Sequence, residues 1–148
     1  MTSNKNLTLI YFKMRALAEP PQLLLNYAEI PYRYMMSWEY FDKPWIEVKP
    51  NIPFGQLPLL ITVNGGQIAQ SGSIVRYIAN NANMLPSDSN LAAKIDSIFE
   101  TAHEMFFPLN PKVKFVVGAT YKEAKQSIIN NVKIKLINFE NILNDTLG

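Results

Sequence analysis

The chain contains no cysteine and only one histidine, His103. The first absence removes disulfides, thiolate-held zinc, iron–sulfur clusters and cysteine nucleophiles together. The second removes any site that needs two imidazoles. Charge of one sign is also scarce. Fourteen Lys and Arg against twelve Asp and Glu leave a net +2, too little to hold nucleic acid or an anionic membrane by field alone. No apolar run approaches the roughly 18 residues of a membrane span. The short run Leu7–Phe12 near the start is too brief for a secretory signal. What is present is globular: 48% hydrophobic and 18% charged residues in a chain of 148, far from the composition of disorder. The expectation is a soluble, cytoplasmic protein of one domain or two small ones. Its chemistry must use Tyr, Arg, Lys, carboxylates or a borrowed cofactor.

Leu7–Phe12 is β-rich and too short for a helix, so it reads as a buried strand. Leu17–Ala28 follows with helical spacing of Leu17, Leu24, Tyr27 and Ala28, and Leu23 and Leu25 widen that face. Pro20 and Pro21 lack amide hydrogens and fit only this helix's first turn. Tyr32–Met36 reads as a second strand, completing a β-α-β unit. Ser37–Gln56 is irregular, with a short helical turn expected around Pro44–Val48. Leu59–Val63 and Gln67–Ala69 flank Asn64-Gly65-Gly66, the signature of a tight antiparallel hairpin. Ser71 is expected to cap a helix that runs to about Ala82 with Ile74, Tyr77 and Ile78 inward.

Residues 83–88 then form a polar, turn-rich linker. It divides an α/β domain, 1–82, from an all-α part, 89–148. In that part the spacing predicts helices over Leu91–Phe107 and Thr120–Leu143, with Pro108 and Pro111 breaking the first. The second helix carries the stripe Ile128, Val132, Leu136, Phe139 and Leu143, which needs a covering surface. Among Lys112, Lys114, Lys122, Lys125, Lys133 and Lys135 only Tyr121 is available as an interleaved exposed aromatic and no arginine stands there, so they read as a solvated face rather than a nucleic-acid surface. His103 lacks the second His of a zinc helix and reads as a partly buried helix residue.

Four features fall at strand or helix ends. Tyr11 closes the first strand, where a phenol either packs or donates a hydrogen bond to an anion. Leu57-Pro58 precedes the third strand. A cis bond there would turn the Leu57 amide and carbonyl outward for a peptide-like ligand. Gln70-Ser71 opens a helix, which is either an ordinary cap or a carboxylate site. Trp45 and Lys49 stand at i, i+4 in the irregular stretch, able to face one ligand.

Taken in order, Tyr11-Phe12-x-x-Arg15-x-x-Ala18-Glu19, Trp45-x-x-x-Lys49, Pro53-Phe54-Gly55-Gln56-Leu57-Pro58 and Gln70-Ser71-x-x-Ile74-x-Arg76-Tyr77 resemble the cytosolic glutathione S-transferases, with the sigma class nearest and the alpha class related. The resemblance runs from about Leu7 to Phe107. It implies a thioredoxin-like N-terminal domain (β-α-β, then β-β-α) that binds glutathione, followed by a shortened all-α domain, in a homodimer. Tyr11 would be the catalytic residue, donating to the glutathione sulfur. Phe12, Arg15, Trp45, Lys49, Gln56, Leu57, Pro58, Gln70, Ser71 and Asp96 would form the glutathione site, with no metal. Within it, Leu57 would pair with the cysteinyl unit, Gln70 and Ser71 would hold the γ-glutamyl end, and Trp45 and Lys49 the glycyl carboxylate. Asp96 would reach the γ-glutamyl amine across the dimer.

The resemblance further implies detoxifying transfer of glutathione to a small apolar electrophile, with neither nucleic acid nor membrane as partner. Two other readings stand beside it: a non-catalytic relative that binds glutathione or serves structurally, and a glutathione-dependent isomerase of the prostaglandin D synthase type. The chain departs from the family pattern at Ala16, where glycine is usual, and at Leu17, where sigma-like members often carry a second arginine. It also stops before the further helices the family carries.

Overall fold

A computed structural model describes residues 6–106 and 118–147. They form two compact units that divide between Leu85 and Pro86, within the segment read as a linker.

The first unit is built on a four-stranded sheet in the order β2-β1-β3-β4. Strand β1 (Leu7–Tyr11) pairs in parallel with β2 (Tyr32–Met36), Leu9 lying opposite Tyr34 and Tyr11 opposite Met36. On its other side β1 pairs antiparallel with β3 (Leu59–Ile61), and β3 with β4 (Gln67–Ala69). The crossover between the parallel strands is helix α1 (Glu19–Tyr27), and α4 (Ser71–Asn81) follows β4 and packs against α1. This is the β-α-β, then β-β-α order expected from the strand and helix patterns, and the thioredoxin-like domain that the resemblance implies. Leu9, Ile10, Leu25, Leu59, Leu60, Ile74 and Ile78 are fully buried at its centre.

Several local expectations need correction. The helix expected from Leu17 begins with a single 3-10 turn, Ala16–Ala18, and becomes α-helical only at Glu19. Pro20 and Pro21 do lie in its first turn. Tyr27 and Leu23 face outward, Tyr27 being 78% exposed. The buried stripe is Ala18, Pro21 and Leu25, and a step of two residues turns a side chain by about 200°. Glu29, at φ 53°, closes the helix in the left-handed region while the Ile30 N–H donates to the Leu25 C=O at 2.9 Å, a Schellman closure made without glycine.

The stretch after β2 is more helical than expected. Besides α3 (Trp45–Val48) it holds α2 (Ser37–Phe41), whose first turn is secured by the Met36 N–H donating to the Glu39 carboxylate at 3.1 Å. The hairpin is wider than a two-residue turn. Gly65 N–H donates to the Thr62 C=O at 2.9 Å, Thr62 N–H to the Gly66 C=O at 2.8 Å, and Gly65 sits at φ 79°. A three-residue loop with glycine in the left-handed position has this bonding.

The second unit holds α5 (Ser89–Phe106) and α6 (Gly118–Leu147), the latter extending beyond the expected limits at both ends. Asp88 caps α5, its carboxylate accepting from the Leu91 N–H at 2.7 Å. Lys135 and Glu104 join the two helices through an ion pair of 3.0 Å. Ile128, Val132 and Phe139 are half-buried, while Leu136 and Leu143 are exposed. His103 is half-buried, edge-on to Phe99 with centroids 5.0 Å apart. The expected break at Pro108 and Pro111, and Phe107 with it, lies outside the described residues. No helix among the described residues is long and apolar enough to cross a membrane.

Candidate functional site

The C-terminal end of β1 carries Tyr11, only 4% exposed. Burial pushes its phenol above the usual 10.0, and a backbone hydrogen bond from Leu17 acts the opposite way. The hydroxyl therefore stays protonated through the neutral range and is available as a donor. The Phe12 ring lies between Tyr11 and Trp45, with centroids 5.4 Å and 5.6 Å away and the Trp45 contact nearly perpendicular. Trp45 is the first residue of α3, so the short helix found in the irregular stretch is what brings this indole to the strand end.

A second group of residues gathers where the chain enters β3 and leaves β4. Leu57-Pro58 is cis, as considered from the sequence. Both residues are buried. Among the described residues, the Leu57 backbone takes part in no hydrogen bond of the loops and turns. Gln70 Nε2 donates to Gln56 Oε1 at 3.0 Å, tying the two segments together although 14 residues separate them. Gln70 also adopts φ 70°, ψ 120°, a backbone conformation costly for a residue with a side chain. The cap assignment moves by one residue: Gln70 occupies the cap position without a side-chain cap bond, and Ser71 is the first residue of α4 and is buried. The Gln70 backbone leaves the helical region, so the helix starts at Ser71.

Lys49, the residue that follows α3, is exposed with its stem beside Gly55: a Cβ built on Gly55 would stand 3.5 Å from the Lys49 Cε. Arg15 is turned to solvent and pairs loosely with Glu19 at 3.7 Å. The structure thus brings Tyr11, Phe12 and Trp45 together, sets Lys49 against the loop that carries Gln56, and joins Gln56 to Gln70. Asp96 belongs to α5 of the second unit, where it is half-buried. An open cleft of 370 Å³ adjoins the β1 end, lined by Lys13, Met14, Arg15, Glu19, Tyr34 and Met36 among others. Among the described residues no three His, Asp or Glu side chains cluster as a metal site would require.

Sequence reasoning passed over Tyr34. Its hydroxyl donates to the Phe12 carbonyl at 2.8 Å. The signal was available in principle, because a parallel β1–β2 pair places Tyr34 on the same face as Leu9 and Tyr11.

Residues 7–80, half of the chain, match the family described as glutathione S-transferase, N-terminal domain. The chain is similar to glutathione S-transferase 4 of Caenorhabditis elegans, 39% identical over 103 residues, which is 69% of this chain and 47% of that protein. It is similar also to the hematopoietic prostaglandin D synthase of Gallus gallus, 35% identical over 105 residues, 70% of this chain and 51% of that one. The chain spans about half the length of these curated relatives. The crystal structure of the glutathione S-transferase from Ascaris lumbricoides superposes with a TM-score of 0.78 at 28% identity, covering 95% of this chain and 68% of that one. Fold order and family match agree, and the chain belongs to the glutathione S-transferase family.

Proposed function

We propose that the first unit binds glutathione and that Tyr11 stabilises its thiolate for attack on a small apolar electrophile. The observation that supports this most is the buried, protonated Tyr11 phenol at the end of β1, beside Phe12 and Trp45. A free thiol with a pKa of about 8.5 is only a few per cent ionised at pH 7, and lowering it by two units corresponds to about 2.7 kcal/mol. A hydroxyl that donates but does not itself ionise favours the thiolate without competing for its proton. The sulfur lone pair then forms the new C–S bond. The electrophile either expels its leaving group or takes up a proton at the adjacent atom.

On this reading the Leu57 backbone pairs with the cysteinyl unit beside Pro58, and Gln70 and Ser71 hold the γ-glutamyl end. Trp45 and Lys49 hold the glycyl carboxylate, with Gln56 fixed by Gln70 and with Phe12 and Arg15 at the margin. Asp96 is assigned to the γ-glutamyl amine of glutathione on the other copy of a cytoplasmic homodimer, as in the sigma-like pattern. The same thiolate would serve an isomerase, a reading favoured by the likeness to a protein named prostaglandin D synthase. Presenting a prostaglandin precursor and a conjugable electrophile side by side separates the two activities.

The decisive experiment is Tyr11→Phe, which keeps the ring and removes only the hydroxyl. Conjugation of a model electrophile should fall about tenfold to a hundredfold, or about 1.4–2.7 kcal/mol. Calorimetric affinity for glutathione should hardly move. Equal, near-background rates for both proteins would favour the non-catalytic, glutathione-binding relative. An absence of heat at millimolar glutathione would sink the binding site itself.

A further inference from the structure

We propose that Tyr34 is a positioning residue for Tyr11: by holding the Phe12 carbonyl it fixes the turn that leaves β1, and so the aim of the Tyr11 hydroxyl. The role rests on the thiolate reading above and names a residue that reading does not use.

The geometry starts from the strand register. Leu9 lies opposite Tyr34 and Tyr11 opposite Met36 in a parallel pair, so Tyr34 and Tyr11 stand on one face of the sheet. From there the Tyr34 O–H reaches the Phe12 C=O at 2.8 Å. That carbonyl also accepts the Met14 N–H at 2.7 Å. Both of its lone pairs are in use, and the three residues after Tyr11 are bound into a tight turn. The chain then passes through Ala16 at φ 37° and returns at Leu17, whose backbone hydrogen-bonds the Tyr11 phenol. The path from Tyr34 to Tyr11 is therefore short and continuous: hydroxyl, Phe12 carbonyl, turn, Leu17 amide, Tyr11 hydroxyl.

The donor is also kept in its donating form. Burial raises the Tyr34 pKa first, and the neighbouring Tyr11 of β1, Glu19 of α1 and Tyr32 of β2 act in the same direction. Lys13 and Arg15, which share the adjoining cleft, are the cations on that side.

The test uses the full chain, with Tyr34→Phe, Tyr11→Phe and the double variant. The pKa of the bound glutathione thiol is read from thiolate ultraviolet absorbance against pH. Conjugation kinetics, glutathione affinity and thermal melting are measured alongside. In Tyr34→Phe the thiol pKa should rise by about half a unit and kcat should fall about threefold to tenfold, with affinity within about twofold. Because Tyr34 acts through Tyr11, the double variant should be no slower than Tyr11→Phe alone. An unchanged thiol pKa in Tyr34→Phe, with only a lower melting temperature, would reduce Tyr34 to a structural bond and overturn the proposal. So would losses that simply add in the double variant. If Tyr11→Phe itself leaves the thiol pKa unmoved, the thiolate reading fails and takes this role with it. If Tyr11→Phe acts and Tyr34→Phe does not, the positioning role alone fails.

Discussion

The two units solve burial differently. In the first, β1, β3, α1 and α4 close around seven large side chains that no water reaches. In the second, none of the apolar side chains described in Ser89–Met105 and Tyr121–Asp145 is buried, and Ile134 and Leu143 stand 61% and 59% exposed. A sheet covered by helices can enclose a core within fewer than ninety residues, because side chains from both layers interlock. A pair of helices touches along a single seam and leaves its remaining apolar surface outside. The polar link of Lys135 to Glu104 adds little, since ion pairs near solvent contribute about 0–1 kcal/mol. The chemistry proposed above falls on the unit that carries its own core, which is the unit able to hold side chains rigidly.

The contrast is broken most directly by truncating the core. Leu60→Ala removes a fully buried side chain from β3 and should cost about 2–5 kcal/mol in chemical denaturation. A loss well under that range would mean that the sheet is not the stable part. Alkali should also act on the first unit. Tyr11 and Tyr34 both have folded-state pKa values above 10.0. As pH passes 10.0 the unfolded chain releases these protons while the native one retains them. The stability they contribute is therefore complete below that point and is lost as pH climbs through the raised values. Denaturation midpoints that stay level between about pH 9 and about pH 11 would contradict those shifts.

A smaller effect is expected at Ser37, whose buried hydroxyl has no partner. Ser37→Ala should be neutral or stabilising by up to about 1 kcal/mol, since an unpaired buried polar group is removed. A clear loss would reveal a bonded water. The smallest effect belongs to the second unit: Ile134→Ala should change stability by less than about 0.5 kcal/mol. A larger cost would show that this face is covered in solution, and light scattering would then report the partner copy.

Much of the fold was legible because local chemistry and packing agree. The short β-branched runs, the glycine-bearing turn and the proline pair each marked an element that the structure contains. Helix α2 was not legible. Ser37-Trp38-Glu39-Tyr40-Phe41 is too short to show a period and aromatic residues are poor helix formers. Its start is secured by a backbone donor on Met36 and the Glu39 carboxylate, a pattern without the usual Ser, Thr or Asp cap. The outward turn of Tyr27 was misread because Leu17–Ala28 has apolar residues on more than one side, and only packing against the sheet selects among them. In the site, Tyr11 and Gln70-Ser71 were marked by position and by resemblance. The Gln56–Gln70 bond was invisible, since it depends on a register that no linear spacing encodes, and the Tyr34–Phe12 bond becomes legible only once β1 and β2 are paired in parallel.

The strand order has a consequence for how these molecules meet one another. The sheet has two open borders, β2 and β4. One is only three residues long. The other follows Pro31 directly, carries exposed Arg33 at its second position and passes at once into α2. Short edges, edge charges and flanking prolines are the means by which natural sheets avoid adding foreign strands. The large bare apolar surfaces of α6 lie on a helix face instead. Pairing of copies edge to edge, and with it the open-ended growth of a sheet, should therefore be disfavoured.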